Sequence, residues 1–364
     1  MVDKPFVKIA IVTLYDDINI GNKLQNYALQ EILKGYSSSV ETFTYTEAAR
    51  ISPALGWKGK LALKIGFPQQ VVVEKKAIIK RKERFKEFSE GYLNTVASKP
   101  FSKFEPILNN EYDFFVVGSD QVWHNFSGTK EEIEYFFLRF ADKEKRVCFA
   151  PSFGFDSIPE KFIDDYISGL KGFNTLSCRE IEGCAIINEL LGVKAVLLPD
   201  PTIVLTEDKW IGIEKKPDYA LPDRFILAYF IGGKTPNQEE SIKEYSLKMG
   251  LDIVDIFDKK QLNYFTTRPD EFIYLIRRAE CVFTNSFHGT IFSILFRRRF
   301  MLFQRNDVEG KQMRSRLTTV IDEFKLQENR EGFYVPKEDV CTILERKTAF
   351  CMEYLNKVFR LNDA

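Results

Sequence analysis

Apolar residues along this chain form short continuous runs that alternate with segments of helical spacing. The run Val7–Leu14 predicts a buried strand, and Gly21–Leu33 after it has apolar side chains three or four residues apart, which is typical of an amphipathic helix. Further strands are predicted at Phe114–Val117, Arg146–Phe149 and Ala195–Leu198. This order of elements indicates parallel strands joined by helices.

A second set of elements begins after the loop around Lys215–Pro222. It comprises predicted strands at Phe225–Ile231, Leu251–Phe257 and Glu280–Thr284, a helix from about Asn237 to Met249, a short element at Phe333–Val335 and a terminal helix at Thr342–Leu361. The pattern predicts an α/β protein with two similar halves that face each other. We place an N-terminal domain at residues 1–212, a C-terminal domain at 222–338, and a helix at 339–364 that returns to the first domain.

Composition narrows the class of protein. The 364 residues include 52 basic and 52 acidic side chains and 45% hydrophobic residues, so a soluble globular protein is expected and a nucleic-acid partner is not. No apolar leader follows Met1, and no run reaches the ~18 apolar residues of a membrane span, which predicts a cytoplasmic protein. The six cysteines form no C-x-x-C pair, so buried thiols are expected rather than disulfides or a zinc site.

The segment 58–103 departs from this neutral balance, with twelve Lys and Arg residues against four Glu. Apolar residues lie between the charges. One interpretation is a basic amphipathic surface that touches anionic lipid headgroups at the inner face of the membrane. The other, which we favour, is a solvated helix face whose apolar side packs on the domain.

One of the two histidines follows a predicted strand end. The run Cys281–Phe283 is apolar, a polar turn with His288 and Gly289 follows, and helical spacing resumes at Ile291. The start of such a helix offers backbone N–H groups to an anion, and imidazole suits proton transfer near neutral pH. The alternative is a histidine that only bonds a neighbouring carbonyl inside the fold.

Polar residues follow another strand, Phe114–Val117, in the same way. Asp120 is suited to hydrogen-bond a hydroxyl or to act as a base, and Trp123 to stack on a flat ligand. Alternatively, Ser119 and Asp120 cap the next element. Asp200 lies between two prolines and is expected to fix a turn.

The remaining predicted substrate contacts also lie at strand ends or helix starts. Together with Ser119 and Trp123 they are Gly21, Asn22, Gln25, Gly232, Lys234, Ser286 and Gly289. The amides are suited to hydrogen-bond the hydroxyls of a ligand, and Gly21 is expected to permit a tight turn.

Four stretches carry a family signature. They are Gly21–Gln30 (GNKLQNYALQ), Val117–Trp123 (VGSDQVW), Leu176–Glu180 (LSCRE) with Leu198–Thr202 (LPDPT), and Ser286–Gly289 (SFHG). In this order the chain resembles the polysaccharide pyruvyl transferase family over most of its length.

The resemblance implies two Rossmann-like domains arranged as in B-type glycosyltransferases, with the acceptor on the first domain and the donor on the second. It implies transfer of the enolpyruvyl group of phosphoenolpyruvate to two sugar hydroxyls of a cell-surface polysaccharide or its lipid-linked precursor, which forms a pyruvate ketal. His288 resembles the family's acid/base or phosphate-contacting histidine, and Arg179 its arginine for the donor's carboxylate or phosphate. Alternatively, Arg179 forms an ion pair with Glu180 or Glu182 at a helix start.

One position departs from the family pattern. Several relatives have an arginine two residues before the histidine, where this chain has Ser286. Another cation would have to supply the positive charge that this arginine brings to the donor site. The candidates are Lys234, Arg268, Arg314 and Arg316.

No metal or cofactor is expected besides the donor substrate, because arginine and lysine can carry its negative charge. Two other functions remain open at this stage: a glycosyltransferase that uses a nucleotide sugar on the same architecture, and a non-catalytic glycan-binding protein.

Overall fold

The computed structural model describes residues 7–44, 69–97, 107–125, 128–155, 157–305, 314–336 and 339–360. The first half contains β1 (Lys8–Val12), α1 (Ile20–Leu33), β2 (Ser39–Thr44), α2 (Gln69–Tyr92), β3 (Thr95–Ala97), α3 (Ile107–Glu111), β4 (Phe114–Val117), α4 (Lys130–Phe136), β5 (Arg146–Cys148), α5 (Ile163–Leu170), β6 (Ser177–Cys178), α6 (Ile181–Leu191), β7 (Val196–Leu197), α7 (Pro201–Val204) and α8 (Glu207–Ile213). Two short 3₁₀ turns lie at Lys143–Lys145 and Glu160–Phe162.

Five strands of this half form one parallel sheet in the order β3-β2-β1-β4-β5, and β6 pairs with β7 in parallel. The central strand β1 is apolar and fully buried from Ile9 to Val12, because helices cover both faces of the sheet. The predicted strands at residues 7–14, 114–117, 146–149 and 195–198 correspond to β1, β4, β5 and β7. Strands β2, β3 and β6 were not predicted.

The second half contains β8 (Phe225–Tyr229), α9 (Pro236–Met249), β9 (Asp252–Asp255), α10 (Leu262–Phe265), α11 (Pro269–Arg278), β10 (Cys281–Thr284), α12 (Phe287–Leu295), β11 (Phe300–Leu302) and α13 (Arg314–Glu323). Its strands form a second parallel sheet in the order β11-β10-β8-β9. The short element predicted at 333–335 is a single antiparallel bridge between Tyr334 and Phe300.

The last helix, α14 (Val340–Arg360), begins in the core shared by both halves, with Val340 and Ile343, and its C-terminal part packs on the first sheet. Its residues Cys351, Tyr354 and Leu355 belong to the core beneath β1 and β4, and the Tyr354 hydroxyl donates to the carbonyl of Cys148 at 2.7 Å. The predicted architecture is therefore confirmed: two α/β halves with parallel sheets, and a terminal helix that returns to the first.

Helix α2 lies between the two halves and holds them together. The guanidinium of Arg81, 1% exposed, donates to the carbonyls of Ile18 (3.0 Å) in the first half and of Ile256 (3.3 Å) and Phe265 in the second. Phe85 next to it is fully buried in a core cluster shared by both halves.

This packing bears on the basic segment 58–103, of which residues 58–68 and 98–103 lie outside the described chain. The apolar side of α2 is used inside the protein, as the favoured interpretation expects, while Lys76, Lys80 and Lys86 remain exposed. Contact with a membrane stays a prediction. Among the described helices, none combines the length and apolar character needed to cross a bilayer.

Candidate functional site

Three helix N-termini meet where the two halves face each other. Helices α1 and α6 belong to the first half and α12 to the second; α6 and α12 begin shortly after β6 and β10, and α1 follows the loop after β1. The closest approach is between Gly21, in the first turn of α1, and the imidazole of His288, in the first turn of α12. A Cβ at Gly21 would lie 2.1 Å from Nδ1 of His288, so only glycine leaves room for this ring. Converging helix N-termini favour negative charge.

The position of His288 is fixed by the turn that precedes it. Ser286 caps α12 with its hydroxyl, which accepts from the backbone N–H of Gly289 at 3.3 Å. A Cβ at Gly289 would lie 2.4 Å from Oγ1 of Thr284, so this glycine allows the helix to pack closely on β10. Both Ser286 and Gly289 therefore shape the turn.

Asp200 is the buried centre of the cluster. Its Oδ2 lies 2.5 Å from Nη1 of Arg179 and 3.1 Å from the hydroxyl of Ser119, while Oδ1 accepts from the backbone N–H and the hydroxyl of Thr202. Burial alone would raise the pKa of Asp200, but the positive charge of Arg179, with smaller effects of His288 and Thr202, holds it below the ordinary value. The expected turn is present as the cap of α7, and the side chain also orients Arg179.

Arg179 follows β6 and is 4% exposed. Burial alone would lower the pKa of its guanidinium, but the carboxylates of Asp200, Asp120 and Glu180 raise it above the ordinary value, so the group is cationic. The alternative of a pair with Glu180 is not what the structure shows. Oε1 of Glu180 instead accepts from the backbone N–H of Phe153 at 2.9 Å.

The imidazole of His288 is buried, and its surroundings shift its pKa downward. Burial lowers its pKa below the ordinary value, Arg179 and Arg316 act in the same direction, and Asp200 and Asp120 only partly oppose them. Its Nε2 lies 3.8 Å from Oδ2 of Asp200, which is too far for a hydrogen bond. Within the part of the chain that the structure describes, Nε2 of His288 therefore has no hydrogen-bond partner.

Asp120 lies at the edge of the cluster with a left-handed backbone (φ 69°). Its Oδ2 accepts from the amide of Asn22 at 3.1 Å, its Oδ1 from the backbone N–H of Gln121 at 2.9 Å, and Oδ1 is 3.9 Å from Nη2 of Arg179. It caps no described helix, because the next one, α4, begins at Lys130 and is capped by Thr129.

Several donors in this cluster have no acceptor. Within the described part of the chain, Nε and Nη2 of Arg179 and Nε2 of His288 are buried without a hydrogen-bond partner. Nε and Nη2 form the edge of the guanidinium that binds carboxylate or phosphate through two parallel bonds. Since buried polar groups are normally paired, the arrangement indicates a site for an anionic ligand beside the histidine.

Two predicted substrate contacts, Trp123 and Gln25, lie in the interior. Trp123 is 1% exposed, its ring stacks on Phe137 with centroids 5.1 Å apart, and its indole N–H donates to a backbone carbonyl, so it cannot stack on a sugar. Gln25 is fully buried; its amide N–H donates to the hydroxyl of Thr13 at 3.0 Å, and its Oε1 has no hydrogen-bond partner within the described residues. Both residue types are common in binding sites, but here they stabilise the interior.

Asn22 is close to the site but not free. Its amide hydrogens are used by the carbonyl of Leu14 (2.7 Å) and by Asp120, and its oxygen accepts from the backbone N–H of Asp16 at 2.9 Å. We therefore correct the prediction that it reads sugar hydroxyls: it positions Asp120.

Gly232 and Lys234 lie at the end of β8, on the same sheet edge as the turn before His288. The side chain of Asn285 ties this loop to β10 by accepting from the N–H of Ile231 at 2.8 Å. The ammonium of Lys234 is paired with Asp255, and none of the contacts among described residues joins it to the His288 cluster. Arg316 on α13, by contrast, lies in the cluster and was only one of four candidates in the sequence.

Solved structures with a similar overall arrangement include UDP-GlcNAc 2-epimerases. The enzyme of Methanocaldococcus jannaschii is 11% identical, with 94% of this chain and 100% of that chain covered and a TM-score of 0.45. The enzyme of Neisseria meningitidis is 9% identical, with coverages of 95% and 94% and a TM-score of 0.41. UGT2 of Phytolacca americana is 10% identical, with coverages of 96% and 94% and a TM-score of 0.34. No curated protein matches the sequence.

A family profile gives the decisive comparison. The profile of the polysaccharide pyruvyl transferases matches residues 19–307. This range includes α1 with Gly21, the Asp120 turn, Arg179, Asp200 and His288. It therefore contains the residues that the structure brings together at the meeting point of the two halves. The chain belongs to the polysaccharide pyruvyl transferase family.

Proposed function

We propose that this protein transfers the enolpyruvyl group of phosphoenolpyruvate to two hydroxyls of a sugar in a surface polysaccharide or its lipid-linked precursor, and so forms a cyclic pyruvate ketal. The observation that supports this most is the pair of unpartnered groups at the site: the outer edge of the Arg179 guanidinium and Nε2 of His288, both buried. The guanidinium of Arg179 is suited to bind an anionic group of the donor, and Nε2 of His288 is suited to transfer a proton during the reaction.

The proton balance of the reaction fits a histidine that starts neutral. Two acceptor hydroxyls lose one proton each as two C–O bonds form to the central carbon of the donor. The methylene carbon gains one proton and becomes a methyl group, and the departing phosphate carries the other as its C–O bond breaks. His288 can take a proton from a hydroxyl and deliver it to carbon, so no proton is needed from bulk water.

Donor binding would prepare His288 for this role. Burial and the neighbouring arginines lower the pKa of the free imidazole. An anion beside it compensates the arginines and favours the imidazolium, so the pKa rises when phosphoenolpyruvate is bound. The histidine then holds a proton only in the complex in which that proton is used.

Asp120 is assigned to the acceptor. Its carboxylate is the most exposed of the cluster, at 12% of the side chain, and is oriented by Asn22. It can accept a hydrogen bond from a sugar hydroxyl and increase the nucleophilicity of the oxygen. Asp200 is not suited to bind the acceptor hydroxyl, because its two oxygens already bind Arg179, Thr202 and Ser119.

A donor titration tests this assignment. The purified protein is heated with phosphoenolpyruvate and, separately, with nucleotide sugars, and a donor at 100 times its dissociation constant should add ~2.7 kcal/mol of apparent stability. We expect phosphoenolpyruvate to raise the melting temperature. A rise with a nucleotide sugar alone would replace the proposed donor.

His288→Asn then tests the proton transfer. The amide is of similar size but cannot carry a proton, so ketal formation should fall by about 10²–10⁴ while the protein melts normally. Near-normal turnover in this variant would remove His288 from the mechanism and leave Arg179 and Asp120 to be examined.

A further inference from the structure

Arg316 is a second buried arginine in the wall of the site. It lies on α13, which packs against α12 with His288 and against α6 next to Arg179, and it is 3% exposed. Burial, with a further effect of Arg179, lowers the pKa of Arg316 to about 10, so the group still carries its charge at neutral pH. A charge this deep in a protein destabilises the fold unless it is paired.

Part of the guanidinium of Arg316 lacks a hydrogen-bond partner within the described residues, although the carboxylates of Glu180 and Asp120 are close enough to act on its charge. Its Nε and Nη2 have no hydrogen-bond partner there, and these are the same two atoms that are unpartnered in Arg179. Arg268 shows what this edge does when it is occupied: its Nε and Nη2 bind the two oxygens of Asp270 at 2.9 and 2.8 Å. Arg179 and Arg316 thus present two empty forks of the kind that binds carboxylate or phosphate.

Two of the three other candidate cations are already engaged. Arg268 is bound to Asp270 and to Glu87 at 2.9 Å, and Lys234 to Asp255. The side chain of Arg314 lies outside the described part of the chain. Ser286, where relatives have an arginine, uses its hydroxyl to cap α12 and brings no charge.

We infer that Arg316 is the second donor-binding cation of this site: with Arg179 it holds the two anionic groups of the donor, one guanidinium fork for each. The inference rests on the proposed function, because phosphoenolpyruvate carries one carboxylate and one phosphate. It also gives the two unpartnered nitrogens of Arg316 a hydrogen-bond acceptor, which the substrate supplies.

The test is a calorimetric titration of phosphoenolpyruvate into the full-length protein, combined with thermal melts without ligand. Arg316→Gln should weaken donor binding by about 10- to 100-fold, the usual loss for a charge-assisted hydrogen-bonded contact. Its ligand-free melting temperature should stay equal to that of the wild type or rise, because a buried charge with two unpartnered nitrogens has been removed. Arg316→Lys keeps the charge without the fork and should bind with intermediate affinity.

Arg330→Gln is the matched control, since it removes an exposed arginine from the same half and should change neither measurement. Binding by Arg316→Gln within about threefold of wild type would overturn the inference. So would a ligand-free melting temperature well below that of wild type, because that marks a structural ion pair. A wild-type protein that does not bind phosphoenolpyruvate would instead refute the proposed donor itself, which separates the two failures.

Discussion

Gly21→Ala offers a sharp test of how the two halves form the site. The added Cβ would lie 2.1 Å from Nδ1, 2.5 Å from Cγ and 2.9 Å from Cε1 of His288. Ordinary contact begins at 3.4 Å, so the imidazole or helix α1 must move by about 1 Å or more. The ring is buried between the halves and cannot swing into solvent.

Two effects of opposite sign determine how far Gly21→Ala changes the free energy of unfolding. Alanine is a better helix former than glycine by about 1 kcal/mol, and Gly21 lies inside α1. Overpacking of a buried contact costs about 1–3 kcal/mol. Since three ring atoms are closer than any real contact, we expect the steric effect to win and the free energy of unfolding to fall by roughly 1–2 kcal/mol.

A double-mutant cycle isolates the contact and requires no acceptor sugar. Wild type, Gly21→Ala, His288→Ala and the double variant are unfolded by denaturant, and the four free energies give the coupling. Removing the ring should make room for the new methyl group, so Gly21→Ala should be neutral or stabilising in the His288→Ala background. Gly212→Ala is the matched control: it lies in helix α8 with open space around its Cβ position and should be neutral or slightly stabilising.

The reasoning fails if the two substitutions are additive. Additivity would mean that the methyl group and the imidazole do not compete for the same space. The first turn of α1 and the first turn of α12 would then be further apart in solution than they are in this structure.

Three further predictions concern single groups. Burial lowers the pKa of His288 below the ~6.5 of an unfolded chain. The unfolded state therefore binds the proton more readily, and the free energy of unfolding falls as the pH falls below that value. Denaturation of His288→Asn at a series of pH values should show a smaller loss of stability over the same range. Asp200→Asn leaves the charge of Arg179 uncompensated and should cost about 3–5 kcal/mol in denaturant unfolding, whereas exposed Asp208→Asn should cost almost nothing. Arg81→Met removes donors from carbonyls of both halves and should lower the free energy of unfolding by roughly 3 kcal/mol, and an unchanged value would contradict the role of α2 in joining them.

The two-domain fold could be predicted because its signals are local. Buried parallel strands are continuous apolar runs, as in β1 and β4, and helices such as α1 show their spacing within a few turns. Strand β2 mixes polar and apolar residues, and β6 has only two residues, so neither gives a signal of its own. Their existence depends on neighbours that are distant in sequence.

The site was predictable only in part for the same reason. Gly21 and His288 stand in recognisable turns, but their contact joins residues 267 positions apart, as the numbering shows. Trp123 has the residue type of a sugar-binding platform, and only the surrounding aromatic rings show that it belongs to the core. For Arg316 the sequence gives no signal, because nothing in its local sequence distinguishes it from other arginines. Only the structure identifies it, since its guanidinium is buried and has two nitrogens without a hydrogen-bond partner.

The burial of the His288 cluster also affects what the donor reacts with. A donor carbon that develops positive charge can be captured by any nearby oxygen nucleophile, and bulk water is far more concentrated than any sugar. In this structure Asp200 is 0%, Arg179 4% and His288 7% exposed, so water has little access to this point. With the proposed donor bound there, the sugar hydroxyls would compete with little water. The tight fit between Gly21 and His288 would therefore govern fidelity as well as rate, because a looser contact would divert the proposed donor from transfer to hydrolysis.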